Sequence, residues 1–382
     1  MSERMAEHKT RLCIVTPYQS GGGAEYQIQC LLDVLIPTGQ WDIHYLTRNP
    51  DPAGASHGLQ VVKIGRGTGE PRFGHATDGW SLYAALRALR PDAIYQRVAC
   101  GYTGICALYG RIHQVPVTWH VAHDTDVAPD SSIFGRNPVR RWIEKRSVGY
   151  GLRNVRNIVT QTHHQARLLQ DNYGRTATAV IPNFHPAPEG HLDKSGEVTV
   201  VWIANLKAWK RPEIFVRLAA SLPDLRFIMV GAAASGTGDR EWAADLVRSI
   251  QATPNLRYLG PQDQQQVNDL LARSHILVNT SLAEGFSNTF IQAWMREVPV
   301  VSMDVDPDGL LGREGIGIRA GSESGLVRAV RQLATDPGAR AAYGARARAY
   351  ALAAHSLRNA TQLGAIIAGD GGSSLDRNAA SR

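Results

Sequence analysis

Short apolar runs alternate with amphipathic stretches along almost the whole chain, and the alternation starts over near its midpoint. In the first half, the runs at 11–16, 41–46, 61–64, 92–96, 115–120, 157–160 and 179–182 read as strands. Several are continuously apolar rather than alternating, as expected for a parallel sheet covered on both faces. Helix patterns lie between them, for example at 24–35 and 79–89. Arg90-Pro91 closes the latter, because proline disfavours a helical residue before it. The second half repeats the scheme with strands at 198–204, 225–231, 256–259, 275–279 and 298–302, then a helical pattern over 326–367. Between the halves, Pro186, Pro188, Gly190 and Gly196 interrupt a polar stretch. The pattern predicts an α/β protein of two facing, doubly wound, Rossmann-like domains, residues 1–185 and 198–368, with a linker at 186–197. Ligand sites are expected at the carboxyl ends of both sheets, in a cleft between them. The Gly/Ser/Asn-rich stretch 369–382 reads as a flexible tail.

Composition narrows the classes. A chain of 382 residues exceeds one typical core, and 43% hydrophobic with 20% charged residues fits a globular protein rather than a disordered one. No apolar run is long enough to span a bilayer, and the acid-bearing N-terminus lacks the apolar stretch of a signal peptide. A cytoplasmic protein is the expectation. Cys13, Cys30, Cys100 and Cys106 are scattered without metal-ligand spacing, so buried free thiols in a reducing compartment are expected. The net charge of +7 favours anionic partners, and Arg136, Arg140, Arg141, Lys145, Arg146, Arg153 and Arg156 lie close together. A solvated helix face accounts for that run as well as a contact with an anionic membrane surface does. Nucleic acid is not expected, since no recognised binding module accompanies the charge.

Four segments carry candidate chemistry. The most informative is 281–294, where an apolar strand ends at Thr280, a turn forms around Glu284-Gly285, and a helix pattern begins near Asn288. A helix start over a sheet's carboxyl edge aims free N–H groups at an anion, and Gly285 lets backbone approach closely. Glu284 and Gln292 bracket the turn and could flank a nucleotide. The ordinary alternative is a carboxylate at a helix start followed by a polar helix residue. Gly21, Gly22 and Gly23 follow the first strand without the spacing of a nicotinamide-dinucleotide fingerprint, and a flexible turn explains them equally. In 205–212, Lys207, Lys210 and Arg211 put cations over a sheet edge suited to diphosphate oxygens, although a solvated basic turn has the same composition. His120 ends the fifth strand, where it could enter the cleft, with His123, Asp124 and Asp126 just beyond. Such a histidine is more often a structural hydrogen-bonding group. No clear third ligand accompanies the group, so no metal is expected.

Together these residues resemble glycosyltransferase family 4, the retaining nucleotide-sugar transferases of GT-B fold. The resemblance runs from the Gly21-Gly22-Gly23-Ala24-Glu25 turn to the C-terminal helices and is most specific over 284–294 and Val298-Pro299-Val300-Val301. That family frames its donor with two glutamates, and the two positions here read Glu284 and Gln292. The resemblance implies that Glu284 faces the transferred sugar, that backbone amides of Gly285, Phe286, Ser287 and Asn288 hold the diphosphate, and that the position of Gln292 binds ribose hydroxyls. Gln292 can still hydrogen-bond a diol but brings no charge. The family's arginine and lysine on the diphosphate correspond to Asn205 and Lys210, so only the lysine carries over, with Lys207 and Arg211 as nearby candidates for the missing charge. Asn183 matches a positioning asparagine, His120 the active-site histidine, and Gly21 to Gly23 the loop on the acceptor side.

The activity implied is transfer of a sugar from a nucleotide-diphosphate sugar to an acceptor hydroxyl with retention, in cell-surface polysaccharide or glycolipid synthesis. Neither cofactor nor metal is implied. The acceptor would be a sugar or a lipid-linked one at the inner membrane face, shaped by loops at 73–80 and 130–141. Two other classes share the layout: a GT-B-type nucleotide-sugar epimerase or phosphorylase, and a non-catalytic sugar-nucleotide-binding scaffold.

Overall fold

A computed structural model describes residues 9–51, 59–69, 71–128, 137–232 and 240–369. Its backbone divides into two compact units, His185–Ser356 and the remainder. The strands of the first unit are β1 (Thr10–Tyr18), β2 (Trp41–Asn49), β3 (Gln60–Lys63), β4 (Ala93–Arg97), β5 (Val117–His120), β6 (Asn157–Thr160) and β7 (Ala179–Val180). Between them run α1 (Gly23–Leu35), α2 (Gly79–Leu89), α3 (Gly101–His113), α4 (Pro138–Asn154) and α5 (His163–Tyr173). The sheet order is β3-β2-β1-β4-β5-β6-β7, and every pair is parallel. Chain order reverses between β1 and β4, the switch point of a doubly wound sheet.

Alternation along β1 shows how both faces are covered. Leu12 and Ile14 pack into one apolar layer with Leu31 and Tyr95, and Cys13 and Val15 pack into the other with Ile94 and Trp119. All of the cysteines are free and buried, and burial pushes the Cys13 thiol up to about 12.

The second unit repeats the design with β8 (Thr199–Ile203), β9 (Arg226–Val230), β10 (Leu256–Tyr258), β11 (Ile276–Asn279), β12 (Val300–Ser302) and β13 (Gly317–Arg319). Its helices are α6 (Pro212–Ser221), α7 (Arg240–Gln251), α8 (Gln264–Ala272), α9 (Asn288–Met295), α10 (Leu310–Arg313), α11 (Glu323–Thr335) and α12 (Pro337–Ala354). The order β10-β9-β8-β11-β12-β13 is again wholly parallel, with its reversal between β8 and β11. Strand β13 was not expected from sequence, since Gly-Ile-Arg offers a single apolar side chain.

Two boundaries differ from the expectation. The last helix, α13 (Arg358–Ala368), belongs to the first unit, where Ala360, Leu363, Ile366 and Ile367 join the layer formed by Leu31, Leu32 and Leu35 of α1. The Asn157 side chain also donates to the Ile366 carbonyl at 3.4 Å. Periodicity had placed this helix with the second domain, because an apolar stripe does not say which sheet it covers. The stretch 186–197 is no free tether. Asp193 N donates to the Ala272 carbonyl at 3.1 Å, Lys194 Nζ to the carbonyls of Leu271 (2.8 Å) and Ser274 (2.5 Å), and Arg296 to Glu189 O at 2.6 Å. Burial among these groups lowers the Lys194 pKa to about 8. Of the tail at 369–382, all but Gly369 lies outside the described residues, as do Arg136 and positions 130–135 of the expected acceptor loop.

Candidate active site

In the second unit the chemistry collects where β8 and β11 end. The chain leaves β8 through Asn205 and Lys207 into a single turn, Ala208–Lys210. Arg211 then adopts a left-handed conformation (φ 50°), and Pro212 starts α6 with its fixed φ. Thr280, just past β11, ties this turn to the sheet: its hydroxyl donates to the Lys210 carbonyl at 2.6 Å and accepts from the Trp202 indole at 2.9 Å. Leu282 N donates to Trp209 O at 3.0 Å. The turn therefore delivers the Lys210 ammonium to the Glu284 carboxylate, with which it forms an ion pair. Both side chains are largely buried, 14% and 9% exposed. Burial lowers the Lys210 pKa, while Glu284 beside it opposes that shift. The ammonium also sits 4.1 Å above the Trp209 ring.

Arg211 is committed elsewhere. It donates to Thr280 O at 2.6 Å and Ser281 O at 3.2 Å and pairs with Asp304, so it braces the loop rather than standing in for the missing family arginine. Lys207 is exposed. Asn205 is exposed and accepts from Ala232 N at 3.4 Å, holding the end of β8 against the end of β9. Those ends are in such close approach that a Cβ on Gly231 would lie 1.7 Å from Ala204 O.

Past Glu284, Gly285 is buried and Phe286 packs against His355 and Trp294, with centroids 4.6 and 6.1 Å away. Ser287 and Asn288 stand at the start of α9, and Ser287 Oγ meets Thr289 Oγ1 at 2.8 Å. Gln292 is 3% exposed, and its amide donates to Gln264 Oε1 at 2.5 Å. Its polar end is therefore engaged within the unit, between α9 and the start of α8.

In the first unit the polar groups gather at the ends of β4 and β5, the first of which matches β11. His120 stands in register with Arg97 and Val159 and is fully buried. Its Nδ1 lies 2.9 Å from the Tyr95 hydroxyl and 3.2 Å from the Arg97 guanidinium, which also donates to Asn183 Oδ1 at 2.9 Å. Asn183 is itself held by the adjacent clamp in which Gln27 donates to Phe184 O (2.8 Å) and accepts from Phe184 N (3.0 Å). Desolvation, then the charge of Arg97, hold the His120 pKa well below its ordinary value. Sequence reading missed Arg97 and Tyr95. The available signal was weak, an apolar strand pattern over Ala93–Tyr95 followed by two polar residues, Gln96 and Arg97.

Gly21 to Gly23 sit at the exposed entry to α1, and Gly21 has the φ of +103° that side chains avoid. His123, Asp124 and Asp126 form a short turn. Asp126 accepts from Ala122 N and His123 N at 2.8 and 3.0 Å, and Asp124 accepts from Gln165 at 3.0 Å.

Two family models match: a glycosyl transferase 4-like domain over residues 2–183, and glycosyl transferases group 1 over residues 197–336. The chain belongs to the group 1 glycosyl transferases. Among relatives, D-inositol 3-phosphate glycosyltransferase of Rhodococcus erythropolis is 26% identical over 233 residues, 54% of this chain and 50% of that one. A component of the human phosphatidylinositol N-acetylglucosaminyltransferase is 28% identical over 331 residues, 77% of this chain and 62% of that one. The matches thus span about half to three fifths of those relatives. Of solved structures, sucrose-phosphate synthase from Thermosynechococcus elongatus superposes with a TM-score of 0.77 at 16% identity, covering 94% of this chain and 98% of that one. Anabaena HepE in complex with UDP and glucose gives 0.75 at 18% identity over 94% and 98%. At such identities the likeness establishes the GT-B fold of this group 1 member, with its two Rossmann-like units. No described helix is long and apolar enough to cross a membrane.

Proposed function

We propose that this group 1 family member transfers a sugar from a nucleotide-diphosphate sugar to an acceptor hydroxyl with retention of anomeric configuration. The observation that carries the reading is the Lys210–Glu284 pair at the carboxyl edge of the second sheet, beside the start of α9. In the reaction, Lys210 turns to the diphosphate and the amides at 285–288 take part of the same charge as the bond to the anomeric carbon lengthens. Glu284, released from its lysine, faces the sugar, where positive charge develops. The acceptor hydroxyl attacks from the face the diphosphate leaves, and its proton passes to a departing phosphate oxygen. That route calls for neither a covalent protein nucleophile nor a metal. Asn205 and Gln292 meet the nucleotide side, Gln292 after exchanging its bond to Gln264 for ribose hydroxyls. His120 and Asn183 serve the sugar, with Gly21 to Gly23 on the acceptor side.

The donor class is supported by the UDP and glucose complex of HepE. The acceptor class is supported by the names of the two relatives, which share an inositol phosphate, an anionic polyol in keeping with the net charge of +7. A lipid-linked acceptor would bring the protein to the inner face of an anionic membrane, where the basic α4 carries exposed Val139 and Trp142, and its product would enter surface polysaccharide or glycolipid.

The test has two steps: a thermal-shift screen of nucleoside diphosphates and their sugars, then incubation of the best donor with polyol and lipid-linked acceptors. A product with the donor's anomeric configuration supports the proposal. An altered free sugar without acceptor would assign an epimerase. Binding without turnover across the acceptor set would leave a sugar-nucleotide-binding scaffold, the reading that the substitutions at Asn205 and Gln292 favour.

A further inference from the structure

A guanidinium is costly to bury and keeps its proton at any ordinary pH, yet Arg97 at the end of β4 is 1% exposed. Among the described residues its recorded partners are all neutral: the Tyr95 hydroxyl at 3.5 Å, His120 Nδ1 at 3.2 Å and Asn183 Oδ1 at 2.9 Å. A guanidinium N–H can only donate, so Nδ1 must accept. The Tyr95 hydroxyl, itself an acceptor from Arg97, then donates to the same Nδ1 at 2.9 Å. The proton of the ring is left on Nε2, which is buried and has no partner among the described residues. An N–H in that state gains most when an acceptor oxygen reaches it.

We infer that Arg97 is a positioning residue that fixes His120 as the neutral, Nε2-protonated tautomer, making the ring a hydrogen-bond donor to a substrate oxygen and not a base. The surroundings agree. Beside Arg97 and Tyr95 on β4, β6 brings Val159, the segment after β7 brings neutral Asn183, α13 brings apolar Ala360 and Leu363, and α1 brings the Cys30 thiol, pushed up to about 11 by burial. None supplies a negative charge that would favour imidazolium. A base in this position would need its unprotonated nitrogen directed at the acceptor hydroxyl. Here that nitrogen faces Arg97.

The substrate half of the inference rests on the transfer reaction proposed above, whereas the tautomer half does not. The measurement is therefore long-range proton–nitrogen correlation NMR on the full chain labelled with nitrogen-15 histidine, without substrate, with the His120 signals assigned by their loss in His120→Gln. The expected pattern is Nε2–H with an unprotonated Nδ1, constant from about pH 8 to about pH 5. Arg97→Met should give mixed tautomers and protonation within that window. Should Arg97→Met not fold, Asn183→Asp sets a carboxylate of nearly equal volume against the guanidinium and should move protonation of His120 to higher pH. An Nδ1–H pattern in the native chain, protonation above about pH 6, or unchanged spectra in the variants would overturn the assignment. In transfer assays Arg97→Met should lower kcat roughly tenfold with donor KM little changed, and add an acid limb to the pH profile. A fixed tautomer in a chain that transfers no sugar would sink the proposed function alone; active transfer with a freely titrating His120 would sink this inference alone.

Discussion

Both units set their polar groups at the carboxyl ends of parallel strands, but they handle charge in opposite ways. In the second unit a lysine and a glutamate neutralise each other. In the first, an arginine lies buried among a phenol, an imidazole and an amide, with no recorded ion pair among the described residues. The lysine–glutamate arrangement is a closed pair, which under the proposed reaction an incoming diphosphate has to open. The arginine cluster keeps an unanswered positive charge, which adds to desolvation in holding the neighbouring imidazole neutral. The carboxyl ends of two similar sheets can therefore carry a paired charge in one unit and an unpaired one in the other.

The contrast can be broken most sharply at Glu284. Glu284→Gln should cut transfer by about a thousandfold, since in the proposed reaction the carboxylate faces the developing positive charge. A stable variant with near-native turnover in donor-saturated assays would remove Glu284 from the chemistry. Lys210→Ala should lower kcat by on the order of a hundredfold, the loss associated with one preorganised donor. Because it strands a mostly buried carboxylate, it should also cost about 3–5 kcal/mol in denaturant unfolding. A double-mutant cycle with Lys210→Met and Glu284→Gln should recover a large part of that cost, whereas Arg97→Met, having no ionic partner to strand, should cost only about 1–2 kcal/mol. Thr280→Val, which removes the bond to the Lys210 carbonyl and the acceptor of the Trp202 indole, should destabilise by about 1–3 kcal/mol in the same experiment.

The smallest effect concerns pH. His120 stays neutral in the folded chain, while in the unfolded chain it titrates near 6.5. Unfolding therefore takes up a proton below that pH, and stability should fall as pH drops through about 6.5, at about 1.4 kcal/mol per pH unit for this one group. His185 and His275 are also held low by burial and add to the slope in the same direction. His120→Gln should reduce the slope of unfolding free energy against pH between about 6 and 5 by close to one proton. An unchanged slope would show that the native ring protonates normally.

The sequence disclosed the doubly wound halves because continuous apolar runs such as 198–204 have no other comfortable home than a covered parallel sheet. It also located Lys210 and Glu284, since a turn after each strand had to fall at the sheet's carboxyl edge. It could not show that the two would meet: that depends on Thr280 and Arg211 tying together separate turns that lie 69 or 70 residues apart. Arg97 was passed over because a polar residue ending a strand ordinarily points to water. The fate of Gln292, bonded to Gln264 rather than left facing outward, turns on how two helices lie together, and residue spacing carries no information on that.

Helix α13 has an implication for synthesis. The first unit draws its final layer from Ala360, Leu363, Ile366 and Ile367, which are translated only after the whole of the second unit. Until they emerge, Leu31, Leu32 and Leu35 of α1 have no complete cover, although the second unit's segment, His185–Ser356, has already been translated. Completion of the first unit's core therefore waits for translation of the second. A stop within α13 would leave Leu31, Leu32 and Leu35 of α1 with an exposed apolar seam, although every strand of both sheets had been made.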